Sequence, residues 1–329
     1  MSAPLNTPAV AEDRKAQVSA IVVSYYTGPV LARCLASLKS EVDEIILIDN
    51  GNPPGAIEEA VAETPEGASL RILSGHGNIG FAAACNMGAA SAGGEFLLFI
   101  NPDAVMPAGG VARLTADGET LSRPWLQGAK LIGPDGEEQQ GSRRAALTPW
   151  RAFVEATRLY KLAPRHPYFQ RFNLHAQECP VDITPTATIS GACFFLPRAD
   201  YAAASGMDEH YFMHFEDVDF CLRFAKAGGG VYFNPHVSVT HFKSSSRANP
   251  IRIEARKTAG AVRYFNAHFS DAYPKPFLWL VAGMLWAAFG LLFVKRGFMK
   301  MLRVLRLWAR SGGGAIKRAR AMAARRLSR

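Results

Sequence analysis

The sequence predicts an α/β domain with a mostly parallel central sheet and helices on both of its faces. Short apolar runs alternate four times with segments of helical spacing in the first hundred residues. Parallel strands need helical crossovers of this kind. The 329-residue chain is 49% hydrophobic and 20% charged, with mean hydropathy near zero. This composition excludes a disordered chain and a polytopic membrane protein.

The first half of the chain contains the regular alternation of strands and helices. Short β-branched or apolar runs predict four strands: Val18–Ser24, Glu44–Ile48, Leu70–Leu73 and Phe96–Ile100. The near-continuous runs Val18–Ser24 and Glu44–Ile48 are typical of strands buried on both faces. Apolar residues spaced along one helical face predict three helices between them: Pro29–Leu38, Ala56–Ala62 and Ile79–Ser91.

The second half is less regular. Residues 142–188 are rich in Arg, Pro and aromatic residues and predict a loop-rich or helical insertion. Around it we predict strands at Gln127–Ile132, Ile189–Leu196, Val231–Phe233 and Val237–Thr240, and a helix at Phe215–Ala227 closed by Gly228.

The cysteines and the charge distribution exclude several protein classes. Five scattered cysteines without C-x-x-C spacing disfavour a disulfide framework or a zinc knuckle and fit a reducing compartment. The net charge of +9 is not a nucleic-acid signature, because twelve Lys and Arg residues and no acid lie in residues 295–329. Those twelve exceed the net charge by three, so residues 1–294 carry −3.

An uncharged apolar run of 18 residues, Phe277–Val294, lies directly before the basic tail. An apolar segment followed by a basic one predicts association with an anionic membrane surface rather than with DNA. An ordinary core or oligomer-interface helix is the alternative.

The candidate chemistry lies at the ends of the predicted strands, where open α/β sheets bind ligands. Asp49 and Asp103 follow buried strands, and a second acidic group, Glu216, Asp217 and Asp219, opens a predicted helix. A carboxylate held at a strand end can share Mg²⁺ or Mn²⁺ with a diphosphate. A turn-forming aspartate and acids that complement a helix dipole are the structural alternatives.

A glycine-rich turn, Gly75-His76-Gly77-Asn78-Ile79-Gly80, matches the dinucleotide-binding pattern G-x-G-x-x-G. That fingerprint belongs in the first strand-to-helix turn, whereas this one lies in the third. The first turn carries Tyr25 and Tyr26, which are too bulky for close approach of a pyrophosphate. We therefore do not predict a dinucleotide-binding dehydrogenase.

Seven motifs in order carry a resemblance to a known family. They are Val22-Val23-Ser24-Tyr25-Tyr26, Ile48-Asp49-Asn50-Gly51, Asn78-Ile79-Gly80-Phe81 with Asn86-Met87-Gly88, Phe99-Ile100-Asn101-Pro102-Asp103-Ala104, Ser190-Gly191-Ala192-Cys193, Gly206-Met207-Asp208-Glu209 and Tyr211-Phe212-Met213-His214-Phe215-Glu216-Asp217-Val218-Asp219-Phe220-Cys221. Over about residues 18–245 the chain resembles family 2 glycosyltransferases, in particular the rhamnosyltransferase-like branch that builds bacterial surface polysaccharides.

The resemblance implies a GT-A fold, Rossmann-like, and a role for each matching residue. The nucleotide-sugar donor would be bound by Ser24, Tyr25, Asp49, Asn78, Gly80, Asn86 and Asn101. Asp103 stands where the family's D-x-D motif ends and would bind the divalent metal, Mn²⁺ or Mg²⁺, although Asn101 replaces the first carboxylate. Asp217 matches the catalytic base, with Glu216 beside it. His241, from its place at a strand end, is a further candidate metal ligand.

The expected activity is therefore inverting transfer of a sugar from a nucleotide donor, with dTDP-L-rhamnose the first guess, to a polysaccharide or lipid-linked acceptor. A nucleotidyltransferase and an inactive membrane-docked scaffold are the alternatives. The expected organisation is a polar arm (1–17), a GT-A domain (18–272, with nucleotide-sugar half 18–125 and acceptor half 126–272) and a membrane-association segment (273–329). We expect the protein on the cytoplasmic face of the inner membrane, with no nucleic-acid partner.

Overall fold

The computed structural model describes residues 17–163, 166–242 and 249–296, together with residues 299 and 301–302. The predicted polar arm, apart from Gln17, and most of the basic tail lie outside the described residues. The chain divides into two compact units, Met1–Ala272 and Tyr273–Arg329.

A nine-stranded mixed sheet forms the centre of the first unit. Its strands are β1 (Val18–Ser24), β2 (Glu44–Asp49), β3 (Ser69–Leu73), β4 (Phe96–Ile100), β5 (Ala104–Val105), β6 (Trp125–Ile132), β8 (Thr184–Pro185), β10 (Cys193–Pro197) and β11 (Gly230–His241). Two further short strands, β7 (Arg143–Arg144) and β9 (Thr188–Ile189), pair with each other in a separate ribbon.

Eight helices accompany these strands in the described part of the first unit. They are α1 (Val30–Leu38), α2 (Ala56–Ala62), α3 (Phe81–Ser91), α4 (Gly110–Glu119), α5 (Pro149–Thr157), α6 (Arg198–Ala203), α7 (Glu216–Lys226) and α8 (Pro250–Phe269). The predicted fold class, an α/β sheet flanked by helices, is confirmed.

The strand order is β3-β2-β1-β4-β10-β6-β11-β5. β3, β2, β1 and β4 are parallel. The apolar side chains of β2, β1 and β4 fill the core because helices cover the sheet, whereas the residues of the edge strand β3 are half-buried or exposed. β10 runs antiparallel between β4 and β6, whereas β11 is parallel to β6.

The structure corrects two of the predicted strands. The run Ile189–Leu196 is not one strand, because Ile189 pairs with Arg143 in the small ribbon and Cys193 pairs with Ile100 in the main sheet. Conversely, Val231–Phe233 and Val237–Thr240 belong to one strand, β11, interrupted by an irregularity between Asn234 and Ser238. Pro235 lies within that interruption, where its missing N–H does least harm to the ladder.

The second unit contains a helix, α9 (Lys275–Arg296), that is long and apolar enough to cross a membrane by length and composition alone. It includes the predicted apolar run Phe277–Val294. Large side chains such as Trp279, Leu291 and Phe293 are exposed along it.

Candidate functional site

Several strand ends meet at one edge of the sheet and bring the predicted site residues together. Ser24 at the end of β1 is in register with Asp49 at the end of β2, and Val22 is in register with Ile100 at the end of β4. The antiparallel strand β10 begins at the same edge, since Asn101 N–H donates to Ala192 O at 3.0 Å. The segments after the parallel strands therefore open into a common space.

A cleft with a volume of about 150 Å³ occupies this edge. Four of the predicted residues line it: Tyr25, Asn78, Asn101 and Asp103. The opposite wall is formed by Phe212 and Met213, which are separated from the second acidic group by His214 and Phe215. The structure thus places the donor-side residues and the segment of the predicted base on the same cleft.

Ser24 and Asp49 support the first loop of the cleft. Ser24 is fully buried, and its hydroxyl lies 3.0 Å from Thr27 Oγ1 and donates to Asn52 Oδ1 at 3.2 Å. Asp49 Oδ1 accepts from the Asn52 backbone and side chain at 2.9 and 2.8 Å. Asn52 Oδ1 in turn accepts from Tyr26 N–H at 2.6 Å, which holds Tyr26 at a φ of 52°. Asn52 was not predicted, because only its long-range contacts identify it.

Asn78 and Gly80 shape the second loop. Asn50 donates to Asn78 Oδ1 at 3.2 Å and accepts from Ile79 N–H at 3.0 Å. A Cβ on Gly80, which has a φ of 93°, would lie 2.7 Å from Phe212 O. The first N–H of α3, that of Phe81, already donates to Phe212 O at 2.7 Å. This glycine-rich turn therefore contacts the Phe212 carbonyl of the opposite cleft wall. In a dinucleotide-binding site, the same turn would contact pyrophosphate.

Asn86 does not lie among the residues that line the cleft. Its amide donates to Met207 O and Glu209 Oε1, both at 2.9 Å, and its oxygen accepts from Tyr201 Oη and Met207 N–H. Through these four hydrogen bonds Asn86 connects α3 to the turn after α6, and its role in donor binding stays a prediction.

Asp103 and His241 meet at the end of β11. His241 Nε2 lies 3.1 Å from Asp103 Oδ1 and 3.3 Å from Asn101 Nδ2. Gln139 Nε2 donates to the His241 carbonyl at 2.5 Å, and Gln139 Oε1 lies 3.0 Å from His241 Nδ1. Gln139 was not predicted, and it assigns the proton of a neutral imidazole to Nδ1.

This tautomer turns the lone pair of His241 Nε2 toward the carboxylate of Asp103. The amide Nδ2 of Asn101, 3.3 Å from the same nitrogen, is the hydrogen-bond donor next to this lone pair. Within the described residues, no group of three or more His, Cys, Asp or Glu side chains could hold a metal. Asp103 and His241 alone offer a metal two protein ligands, so a diphosphate and water would have to supply the others. An imidazole ligand suits Mn²⁺ better than Mg²⁺.

Asp217 lies in the first turn of α7 and is held by three donors. Its Oδ2 accepts from Arg144 Nη2 in a short contact and from Gly191 N–H at 3.2 Å, and its Oδ1 accepts from Val218 N–H at 2.8 Å. Burial raises the pKa of Asp217, but the charge and hydrogen bonds of Arg144 outweigh it and hold that pKa below its usual value. A carboxylate offers about four lone-pair sites, so one stays available to a substrate hydroxyl.

Arg144 was not predicted as a site residue. It lies on β7, inside the insertion, and also donates through Nη2 to Ile189 O at 2.6 Å. Its guanidinium stands 5.5 Å from the centroid of the Phe172 ring. Only the antiparallel pairing of β7 with β9 brings this residue to Asp217, and the sequence carries no signal of that pairing.

Glu216 has an environment different from that of its neighbour. Its residue is only 6% exposed, and its Oε2 has no hydrogen-bond partner among the described residues. Burial, aided by the negative charge of Asp217, raises the pKa of Glu216 to about 8. The carboxyl is therefore protonated at neutral pH and contributes to the core.

The segment before α7 is strained. His214 and Phe215 have φ values of 67° and 74°, in the left-handed region that non-glycine residues rarely adopt. Phe215 packs against α8, where a Cβ on Gly260 would lie 3.2 Å from its ring. Burial, followed by the charge of Lys257, lowers the pKa of His214 to about 4, so its imidazole is neutral.

Comparisons with known proteins support this description of the fold. Residues 19–119 match the family model "Glycosyl transferase family 2". The match covers the parallel strands β1 to β4 and agrees with the resemblance that the motifs carry. The rhamnosyltransferase-like branch stays a prediction.

One curated relative, the "Uncharacterized protein y4gI" of Sinorhizobium fredii (strain NBRC 101917 / NGR234), is 25% identical over 219 residues. The match covers 65% of this chain, which spans only 22% of the length of that relative.

Two solved structures match most of the length of this chain. "GalNAc-T7 with UDP, GalNAc and Mn2+" has a TM-score of 0.53 at 14% identity, covering 79% of this chain and 49% of its own. The "Mannosyltransferase PcManGT from Pyrobaculum calidifontis in complex with GDP-Man and Mn2+" has a TM-score of 0.49 at 15% identity, covering 82% and 68%. The chain thus spans about half the length of the first of these. The first match confirms a GT-A-like fold.

Proposed function

We propose that the protein is a metal-dependent inverting glycosyltransferase that uses a nucleotide-sugar donor. The observation that carries the proposal is one cleft where Asn101 and Asp103 face the wall that leads to Asp217. Support comes from the family model over residues 19–119 and from the UDP and Mn²⁺ of the GalNAc-T7 structure.

The residues of the cleft suit a single displacement at the anomeric carbon. The acceptor oxygen forms the new glycosidic bond while its proton passes to the free lone pair of Asp217. The bond between the anomeric carbon and the phosphate oxygen breaks, and its electron pair leaves with the nucleoside diphosphate. Arg144 and Gly191 hold Asp217 in one orientation throughout.

Asp103 and His241 would hold the divalent metal, with Asn101 beside them. When bound, the metal supplies Lewis-acid stabilisation of the negative charge on the leaving diphosphate. Tyr25 and Asn78 would contact the nucleoside side of the donor, since both line the cleft. The resemblance to the rhamnosyltransferase-like branch makes dTDP-L-rhamnose the first donor to test.

A membrane location belongs to the same proposal. If α9 spanned the bilayer, a cytosolic catalytic unit would place the twelve basic residues of the tail on the far side, against the tendency of Lys and Arg to stay inside. An interfacial or re-entrant α9 avoids this conflict. The acceptor would then be lipid-linked or a growing polysaccharide at the cytoplasmic face of the inner membrane.

The experiment that tests the function is turnover of a panel of nucleotide sugars with and without Mn²⁺, together with the Asp103→Ala variant. Turnover that needs both the metal and Asp103 supports the proposal. Full activity in excess chelator contradicts it.

A further inference from the structure

Helix α8 carries three arginines on one exposed face. Arg252, Arg256 and Arg263 occupy positions i, i+4 and i+11, which lie within about 40° of one another around a helix. All three are exposed. We call these three residues the arginine face.

The arginine face lies along the segment that leads to the catalytic helix. The guanidinium of Arg256 stands 3.7 Å from the centroid of the Phe212 ring. Arg263 donates to Asp208 Oδ2 at 3.2 Å and lies 5.6 Å from the centroid of the Tyr211 ring. Because Phe212 also lines the cleft, Arg256 is at the mouth of the proposed active site.

Two of the three arginine charges have no counter-charge. Arg263 pairs with Asp208, but no carboxylate among the described residues forms a salt bridge with Arg252 or Arg256. The acid nearest to them in sequence, Glu254, pairs with Lys257 at 3.3 Å. Stacking on Phe212 orients Arg256 without neutralising it. Such a pair of guanidinium groups is suited to the bidentate binding of phosphate oxygens.

The position of Arg256 indicates which phosphate it would meet. Its guanidinium covers one face of the Phe212 ring, so a donor in the cleft can approach only the rest of that ring. The donor diphosphate, moreover, has its own proposed cation at Asp103 and His241. Arg252 and Arg256 are exposed and do not line the cleft, so a phosphate group bound to them need not enter the space that the donor fills.

We propose that the arginine face binds a diphosphate ester carried by the acceptor. This inference rests on the proposed function and names the acceptor class: a saccharide attached to an anionic phosphate carrier and not a neutral sugar chain. The contacts of the arginine face with Asp208, Tyr211 and Phe212 all lie within the first unit, Met1–Ala272.

The test measures binding of farnesyl diphosphate to the full-length protein saturated with Mn²⁺ and whichever of UDP, dTDP or GDP it binds. We expect Arg256→Gln and Arg252→Gln each to weaken this binding about tenfold, the size of one lost charge-assisted hydrogen bond. Arg256→Lys should recover part of the affinity. Lys226→Gln, which removes an exposed charge at the end of α7, is the control and should have no effect.

Two further ligands distinguish binding through the diphosphate from binding through the lipid chain. Farnesol should not bind through the arginines, and pyrophosphate should bind more weakly than farnesyl diphosphate with the same dependence on Arg256. Equal affinities of the wild type and the Arg252→Gln/Arg256→Gln double variant would overturn the inference. So would binding that disappears once the nucleoside diphosphate fills the cleft. Failure to bind any nucleoside diphosphate would instead count against the proposed function.

Discussion

At the scale of single residues, the two adjacent carboxyl groups of α7 have opposite environments. Asp217 is ionised because Arg144 lies against it, whereas burial keeps Glu216 protonated. Adjacent acids with pKa values moved apart are typical of a division of roles. Here only Asp217 is equipped to accept a proton at neutral pH.

Replacing Asp217 by Asn should abolish sugar transfer while nucleoside diphosphate binding is retained. Loss of a general base costs roughly 100-fold to 10,000-fold in rate. Nucleotide binding should persist because Asp217 is not among the residues that line the donor cleft. Transfer assays and calorimetry on the same preparation check this. A matching loss of nucleotide affinity would make Asp217 a donor-site or structural residue.

Replacing Glu216 by Gln should change how stability depends on pH. The folded-state pKa of Glu216, about 8, lies above the unfolded value near 4.5. The contribution of protonated Glu216 to the free energy of unfolding is therefore complete below pH 4.5 and is lost as the pH rises to about 8. As the pH rises from about 5 to about 8, the Tm of Glu216→Gln should therefore increase by roughly several degrees relative to that of the wild type. A difference in Tm that stays constant over this range would show that Glu216 is already ionised.

At the scale of elements, the strands and helices of the parallel half could be predicted from sequence, and α2 and β4 have the predicted bounds. Buried strands and amphipathic helices leave a local apolar pattern there. The change of sheet after Ile189 and the irregularity in β11 could not be predicted, because pairing with distant strands determines both.

The candidate site shows the same difference between local features, which can be predicted, and long-range contacts, which cannot. Asp103, Asn101 and Asp217 could be proposed from motifs, since strand ends and helix starts are visible locally. Arg144, Gln139 and the arginine face depend on contacts between segments far apart in the chain.

The contact between the glycine-rich turn and the opposite cleft wall gives a prediction for Gly80. In Gly80→Ala the new methyl group would clash with Phe212 O, in addition to the strain of a positive φ. We expect a loss of more than about 1 kcal/mol in stability and weaker nucleotide binding. Gly75→Ala is the control, since Gly75 has a similar φ of 90° and nothing within 4 Å of its Cβ position. Equal losses in the two variants would mean that the Phe212 contact contributes nothing.

At the scale of the whole molecule, the two units differ in chemistry. Met1–Ala272 contains the sheet and the candidate site, whereas Tyr273–Arg329 begins with an apolar helix and continues with the basic tail. This contrast supports the proposed division into a catalytic unit and a membrane-attachment unit.

Truncation should separate the two roles. A chain that ends at Tyr273 should be soluble and retain donor hydrolysis, but it should lose transfer to a lipid-linked acceptor. Fractionation in low salt, followed by both assays, checks this. Full-length protein that is already soluble in low salt without detergent would contradict membrane attachment.

The central claim is that a metal at Asp103 and His241 assists departure of a nucleoside diphosphate. Its most direct test measures Mn²⁺-dependent release of nucleoside diphosphate from dTDP-, UDP- and GDP-sugars by the wild type and by Asp103→Ala. We expect that the wild type turns over at least one donor, that excess chelator stops the reaction, and that Asp103→Ala is inactive. Undiminished release in chelator, or a fully active Asp103→Ala variant, would contradict it.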